Sequence, residues 1–320
     1  MPYTHYKQVD MEVDRLFELG QYRQALEVLQ RAEQHFPEQM LLILFCQSYT
    51  YACLGDQAAC LDAIERAQGM GFAWPIDGGL FEPVREHPRF PALLEKMKQM
   101  LQQQAQVGAQ MQYVVDLPEG YTPERRYPLF MVLHGDGSVT GNIEYQRWFW
   151  EPQELTSRGF IAVFAQSSQR VSASGYVWLN DYAVAREDIR ACYEQVVSQY
   201  PVNLEKVLIG GFSGGAITSL DITLAEVLPV RGFVALCPSL KPHAFTKENV
   251  LKAVQRGVRG VVLEGEHSLP VPDEQEMVGV FEEAGLPFRF YVNAGVGHIF
   301  PPDLSIKLGW AIDFIMEESS

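Results

Sequence analysis

The sequence predicts an all-α helical-repeat domain over residues 1–100, a linker at 101–110, and an α/β domain over 111–320. The mostly parallel sheet of the second domain carries helices on both faces. Three observations predict this. Up to about residue 100, apolar side chains recur at three- and four-residue spacing, with few β-branched residues and many Gln, Glu and Ala. The same stretch repeats itself when slid by 35 positions. From Met111 onward, short β-rich runs alternate with helical stretches.

In the first part, the 35-residue slide puts Leu19-Gly20 on Leu54-Gly55, Leu26 on Leu61, Leu29 on Ile64 and Ala32 on Ala67. A helix-turn-helix unit of this length cannot bury its apolar face alone, so it stacks on a neighbour. The string LELGQYRQALEVLQRAEQHFP resembles a tetratricopeptide repeat, with its glycine turn, Tyr22, Ala25, Ala32 and closing Pro37. The second copy, YACLGDQAACLDAIERAQGMGF, lacks the turn tyrosine and the closing proline, and FEPVREHPRFPALLEKMK looks like a capping end. Such a half is expected to bind a peptide, to mediate self-association, to cover an active-site mouth, or only to pack. Cys46, Cys53 and Cys60, spaced by seven, are expected to be small buried packing residues rather than metal ligands.

LQQQAQVGAQ at 101–110 reads as a helix tail and linker. Strands are then expected at MQYVVDL, YPLFMVLHG, GFIAVFAQ, KVLIGGF, VRGFVALCP, VRGVVLEGE and PFRFYVNAG. Helices are expected at 180–199, 214–228 and 273–285.

The chemistry is carried by two strand ends. VLIGGFSGGAITSL contains G-x-S-x-G at Gly211 to Gly215, with an apolar strand entering and an Ala/Leu/Ile helix leaving. That arrangement strains the backbone at Ser213, lifts its hydroxyl to the carboxyl edge of the sheet, and sets the Gly214 N–H at a helix start, ready to donate to an oxyanion. YPLFMVLHGDGS ends a strand at His134-Gly135, and the loop can turn the Asp136 or Gly137 N–H inward as a second donor. His134 is expected to shape that loop, and the Asp136 carboxylate to point away. FRFYVNAGVGHIFPP places His298 after the last major strand, where an imidazole can take the serine proton.

In LPEGYTPERRYPLFMVLHG, GFSGG and GVGHIFPP, residues 111–320 resemble the α/β-hydrolase superfamily, close to dienelactone hydrolases, phospholipase/carboxylesterase-type enzymes and the catalytic domain of prolyl oligopeptidases. The resemblance implies Ser213 as nucleophile, His298 as base, and Gly214 with Asp136 or Gly137 as oxyanion donors. It departs at the triad acid: in VVLEGEHSLPVPDEQ, Ser268 stands where the family has Asp. Glu266 is the preferred substitute, on an extended loop that points it to the same side. Asp273, which with Glu276 resembles a helix N-cap and capping box, and Glu264, which ends the strand and faces the opposite side, are the others. A Ser–His dyad without an acid stays open.

Aromatic-rich IEYQRWFWEP and SASGYVWLND, with Trp148, Trp150, Tyr176 and Trp178, offer walls for an apolar group, Tyr176 and Trp178 being the expected pocket residues. The balance of the chain is that of a soluble globular protein, 47% apolar and 20% charged. A formal charge of −15 disfavours nucleic acid and anionic membranes. The N-terminus shows no secretory pattern, so a cytoplasmic location is expected. The sequence thus points to a serine-dependent ester or thioester hydrolase that needs no metal or other cofactor. It would take a small-molecule ester, with residues 1–100 free for a protein partner or self-association. The competing reading is a non-catalytic adaptor on a hydrolase fold without its acid.

Overall fold

The computed structural model describes residues 3–317. It divides into two compact units. One comprises Met1–Gly108 with the short segments Gly137–Thr140 and Arg170–Gly175; the other comprises Ala109–Asp136, Gly141–Gln169 and Tyr176–Ser320.

The first unit holds α1 (Tyr6–Glu18), α2 (Tyr22–His35), α3 (Met40–Leu54), α4 (Gln57–Gly69) and α5 (Phe90–Gln106). Shifted by the 35 positions of the sequence repeat, α2 falls on α4 and α1 falls within α3. Equivalent positions are buried in both copies: Ala25, Leu29 and Ala32 in one, Cys60, Ile64 and Ala67 in the other. Gly20 and Gly55 supply left-handed backbone just after α1 and α3. Of the three evenly spaced cysteines only Cys60, on α4, is buried; on α3 Cys46 is half-buried and Cys53 exposed. Helix α5 runs on to Gln106, through most of the expected linker. The Gln104 side chain donates to Gly71 O and accepts from Ala173 N, each at 2.9 Å.

The second unit is a seven-stranded sheet: β1 (Gln112–Asp116), β2 (Tyr127–Leu133), β3 (Ile161–Gln166), β4 (Val202–Phe212), β5 (Gly232–Leu236), β6 (Arg259–Gly265) and β7 (Phe288–Asn293). All seven expected runs form strands. Their order is β1-β3-β2-β4-β5-β6-β7, and only β1 runs antiparallel to its neighbour. The helices are α6 (Ile143–Trp150), α7 (Pro152–Thr156), α8 (Tyr182–Gln199), α9 (Gly214–Leu224), α10 (Lys247–Gln255), α11 (Pro272–Ala284) and α12 (Leu304–Met316).

Side-chain alternation sorts these helices onto two faces. Leu129, Met131, Leu133, Val207, Ile209 and Phe233 share one core with buried residues of α8, α9, α10 and α11. On the other face Phe130 meets Trp150 and Phe160, and Ile315 of α12 closes over Gly232. Burial on both faces is why the central strands read as unbroken apolar runs. Growth of the sheet reverses between β3 and β4, so the ends of β2 and β4 lie side by side with Leu133 opposite Gly211. In open α/β sheets such a reversal is where ligands bind, at the carboxyl edge. Among the described residues no helix is long and apolar enough to cross a membrane.

Candidate active site

Ser213 stands between β4 and α9 with φ 52° and ψ −119°, a conformation costly for any side chain but glycine. Its backbone is pinned from both sides. The N–H donates to Leu236 O at 2.8 Å, and the carbonyl accepts the Ile217 N–H at 3.0 Å. The kink also demands a bare neighbour: a Cβ on Gly215 would lie 2.4 Å from both His134 O and Leu133 O. The first amides of a helix have no carbonyl of their own, so the Gly214 N–H is free to point at an incoming anion.

His298 lies in the loop after β7, and its Nε2 is 2.9 Å from Ser213 Oγ across 85 residues of sequence. The Phe212 ring packs on the imidazole at 5.1 Å. Part of the histidine is open to solvent, yet the atoms packed round its ring lower its pKa by desolvation, and the nearby Glu264 charge opposes that shift.

The carboxylate brought to this histidine is Glu264. A ring nitrogen of His298, a carboxylate oxygen of Glu264 and Sγ of Cys237 all lie within 4.8 Å of one another. Glu264 is fully buried; its Oε1 accepts the Gly265 N–H at 2.8 Å, and Oε2 has no hydrogen-bond partner. This corrects the sequence expectation for Glu266, which is exposed and accepts the Gly295 N–H at 2.8 Å. The reason is a 3₁₀ turn at Glu266–Ser268, which begins where an extended loop was expected and turns Glu266 outward. Glu264 still belongs to β6, paired with Val292. Asp273 is no N-cap either. That position falls on Val271, and the Asp273 carboxylate accepts the Lys241 N–H at 3.0 Å. Cys237, Glu264 and His298 are also a donor set of the kind that zinc accepts.

On the opposite side of Ser213, His134 is fully buried and fixed in one tautomer. Its Nδ1 donates to Gly135 O at 2.8 Å and its Nε2 accepts the Ser167 N–H at 3.2 Å, while burial holds the ring neutral with a pKa lowered to about 4. It shapes the loop, as the sequence implies. Trp178 stacks on it at 4.8 Å and donates Nε1–H to His134 O at 2.9 Å. Trp178 is completely buried, so it braces the loop and lines no open pocket, contrary to expectation. Tyr176 is half-buried, edge-on to His134 at 6.5 Å.

The Asp136 carboxylate does not point away. It accepts the Trp178 and Leu179 N–H groups at 2.8 and 3.1 Å, and it lies against Gly214, where a Cβ would meet its Oδ1 at 2.2 Å. Burial pushes its pKa up to about 6 and those two N–H donors pull it back. Gly137 opens the segment Gly137–Thr140 of the first unit, its carbonyl packed against Gly175.

Sequence reasoning missed an aromatic ladder. Phe212 meets Phe300 at 4.2 Å, Phe300 stacks on Phe149 at 4.2 Å and 6°, and Phe149 meets Tyr145 at 5.2 Å. Phe212 directly precedes the serine and Phe300 follows the histidine by two residues, which was the available signal. Trp150 is buried beneath the sheet against Phe130, while Trp148 is half-buried beside Tyr145.

A parallel sheet with one antiparallel edge, a strained serine at the end of its central strand and a histidine after its last strand define the α/β-hydrolase fold. No protein-family model matches the chain, and no curated protein does. Among solved structures, an uncharacterized protein from Bacillus cereus is 20% identical, with a TM-score of 0.55 over 99% of this chain and 100% of that one. The likeness therefore runs through the helical part as well as the sheet. A thermophilic esterase from Thermogutta terrifontis is 16% identical (TM-score 0.46, 62% of this chain and 85% of that one). A phospholipase/carboxylesterase from Dyadobacter fermentans is 18% identical (TM-score 0.47, 67% and 100%).

Proposed function

We propose that the protein is a serine hydrolase of ester or thioester bonds acting through an acyl-enzyme on Ser213. The observation that carries this is the 2.9 Å approach of His298 Nε2 to the hydroxyl of a serine held at positive φ. Ser213 Oγ attacks the substrate carbonyl carbon while His298 Nε2 takes the hydroxyl proton. The carbonyl oxygen becomes an oxyanion facing the Gly214 N–H, with the Asp136 N–H as second donor. Collapse breaks the bond to the alcohol or thiol, which leaves with the proton from His298. Water then repeats the sequence on the acyl-serine, giving the acid and restoring the serine hydroxyl.

Glu264 is the third member in this reading: with Nε2 directed to Ser213, Nδ1 is the nitrogen left for a carboxylate, whose charge steadies the imidazolium. The aromatic rings from Phe212 to Tyr145 suit an apolar acyl or alcohol group.

The test is direct. A fluorophosphonate probe labels Ser213 and p-nitrophenyl acetate is turned over. Ser213→Ala abolishes labelling and lowers turnover by roughly 10⁴-fold or more. A folded wild-type protein that neither reacts with the probe nor hydrolyses the ester leaves the adaptor reading in its place.

A further inference from the structure

Beside the imidazole stands a group for which ester hydrolysis has no use. Cys237 directly follows β5; it is 1% exposed, and its N–H donates to Leu263 O at 2.8 Å. Its Sγ, a carboxylate oxygen of Glu264 and a ring nitrogen of His298 lie within 4.8 Å of one another. A serine relay employs the imidazole and the carboxylate but not the thiol.

Thiolate, carboxylate and imidazole together suit zinc. Bonds of about 2.0–2.3 Å to a tetrahedral ion put neighbouring donors roughly 3.5 Å apart, so small side-chain movements close this set on one cation. Glu264 supplies an independent sign. It is completely buried, its Oε1 is spent on the Gly265 N–H at 2.8 Å, and its Oε2 has no hydrogen-bond partner among the described residues. A buried carboxylate oxygen without a donor carries a desolvation penalty that a bond to a cation removes. The solvent-exposed side of His298 gives an ion its way in, and three protein donors leave a fourth position for water.

The imidazole decides what such an ion does. With Nε2 of His298 committed to Ser213 Oγ at 2.9 Å, Nδ1 is the nitrogen left for the metal. A neutral imidazole has one lone pair and one N–H. Once Nδ1 gives its lone pair to the ion, the ring proton sits on Nε2, which can donate to Ser213 but cannot take its proton. Metal occupancy and base catalysis exclude one another.

We propose that Cys237, Glu264 and His298 form an inhibitory site for a thiophilic divalent cation of the zinc class, which silences Ser213 by occupying Nδ1 of its base. On binding, the thiol loses its proton to solvent as the sulfur–metal bond forms, and the imidazole proton moves from Nδ1 to Nε2, so one proton is released per ion. The inhibition rests on the hydrolase reading above; the binding does not.

Binding is read without activity by titrating the chelator-treated full-length protein with Co²⁺. A thiolate-to-cobalt charge-transfer band rises to saturation at one ion per chain, Mg²⁺ does not compete for the site, and both Cys237→Ala and Cys237→Ser lack the band. In p-nitrophenyl acetate hydrolysis, saturating Zn²⁺ lowers the wild-type rate by roughly 10²-fold or more, the range a general base supplies, and a chelator restores it. Measured against its own zinc-free rate, each cysteine variant needs roughly tenfold more zinc or beyond for half inhibition. No cobalt band in the wild type, a band that survives in both variants, or a rate that zinc raises or leaves unchanged overturns the proposal. Absent hydrolysis by the metal-free wild type refutes the hydrolase reading, and the cobalt band still supports or overturns the metal site by itself.

Discussion

The ends of β4 and β6 both face His298, and they are built in opposite ways. At the end of β4 the geometry is made by backbone. Positive φ at Ser213, amide bonds to Leu236 and from Ile217, and a glycine that backbone carbonyls leave no room to replace fix the hydroxyl before any side chain contributes. At the end of β6 the geometry is made by side chains. Glu264 and Cys237 come from the ends of two different strands, are nearly or fully buried, and owe their arrangement to tertiary packing. A backbone-made site depends on sterics and is indifferent to pH. A side-chain-made site tolerates small shape changes and is exposed to pH instead.

The largest effect that sharpens this contrast is at β6. Glu264→Gln lowers kcat by roughly 10²–10⁴-fold, because an amide cannot balance imidazolium charge, whereas Glu266→Gln changes it less than about twofold. The pH profile adds a direction. Glu264 raises the His298 pKa against the lowering by burial, so its loss lets that pKa fall further and moves the acid limb of kcat/KM to lower pH. Equal losses in the two variants would return the acid to the 3₁₀ turn. The same experiment run with a chelator separates the relay from metal chemistry: turnover of the relay is unchanged, while a metal held by Cys237, Glu264 and His298 would be stripped and the rate altered.

The next effect is steric and belongs to β4. Gly215→Ala puts a methyl 2.4 Å from two backbone carbonyls, which only a shift of β2 or α9 can relieve. The expected cost is about 3 kcal/mol of stability, read by denaturant unfolding, with the same loss at acid and alkaline pH. A cost that varied with pH would mean that the elbow, too, leans on titrating groups.

The contrast explains what the sequence disclosed. The inner strands β2 to β6 were legible because burial on both faces leaves apolar runs, whereas the half-exposed edge strands β1 and β7 were legible from their β-rich composition. Ser213 and His298 were legible because Gly-rich turns and strand ends are local signals. The 35-residue repeat was legible for the same reason: equivalent buried positions in α2 and α4 keep equivalent residue types. The carboxylate beside His298 was not, since an extended loop after Gly265 and a 3₁₀ turn are both compatible with EHS, and the choice sets which carboxylate faces inward. Glu264 was expected to face the opposite side from Glu266; β6 ends at Gly265 and the 3₁₀ turn that follows carries Glu266 outward, which leaves Glu264 as the carboxylate beside His298. Trp178 was misplaced because a tryptophan on a loop looks like a pocket wall until its N–H is seen spent on His134 O. Asp136 was misplaced because the amides of Trp178 and Leu179, 42 and 43 residues on, supply the donors that hold its carboxylate inward.

The smallest effect tests the ground between the two ends. Phe300 stacks between Phe212, next to the serine, and Phe149 on α6, and it stands two residues after His298. Were these rings only core, Phe300→Ala would destabilise the fold and leave the selectivity among esters unchanged. As part of an apolar acyl wall, its loss weakens binding of longer acyl chains more than short ones, because each buried methylene contributes about 0.8 kcal/mol. Across p-nitrophenyl acetate, butyrate and hexanoate, the ratio of kcat/KM for hexanoate to that for acetate drops by about tenfold in the variant while acetate itself changes little. A uniform drop across the three esters would instead assign Phe300 to holding the His298 loop in place.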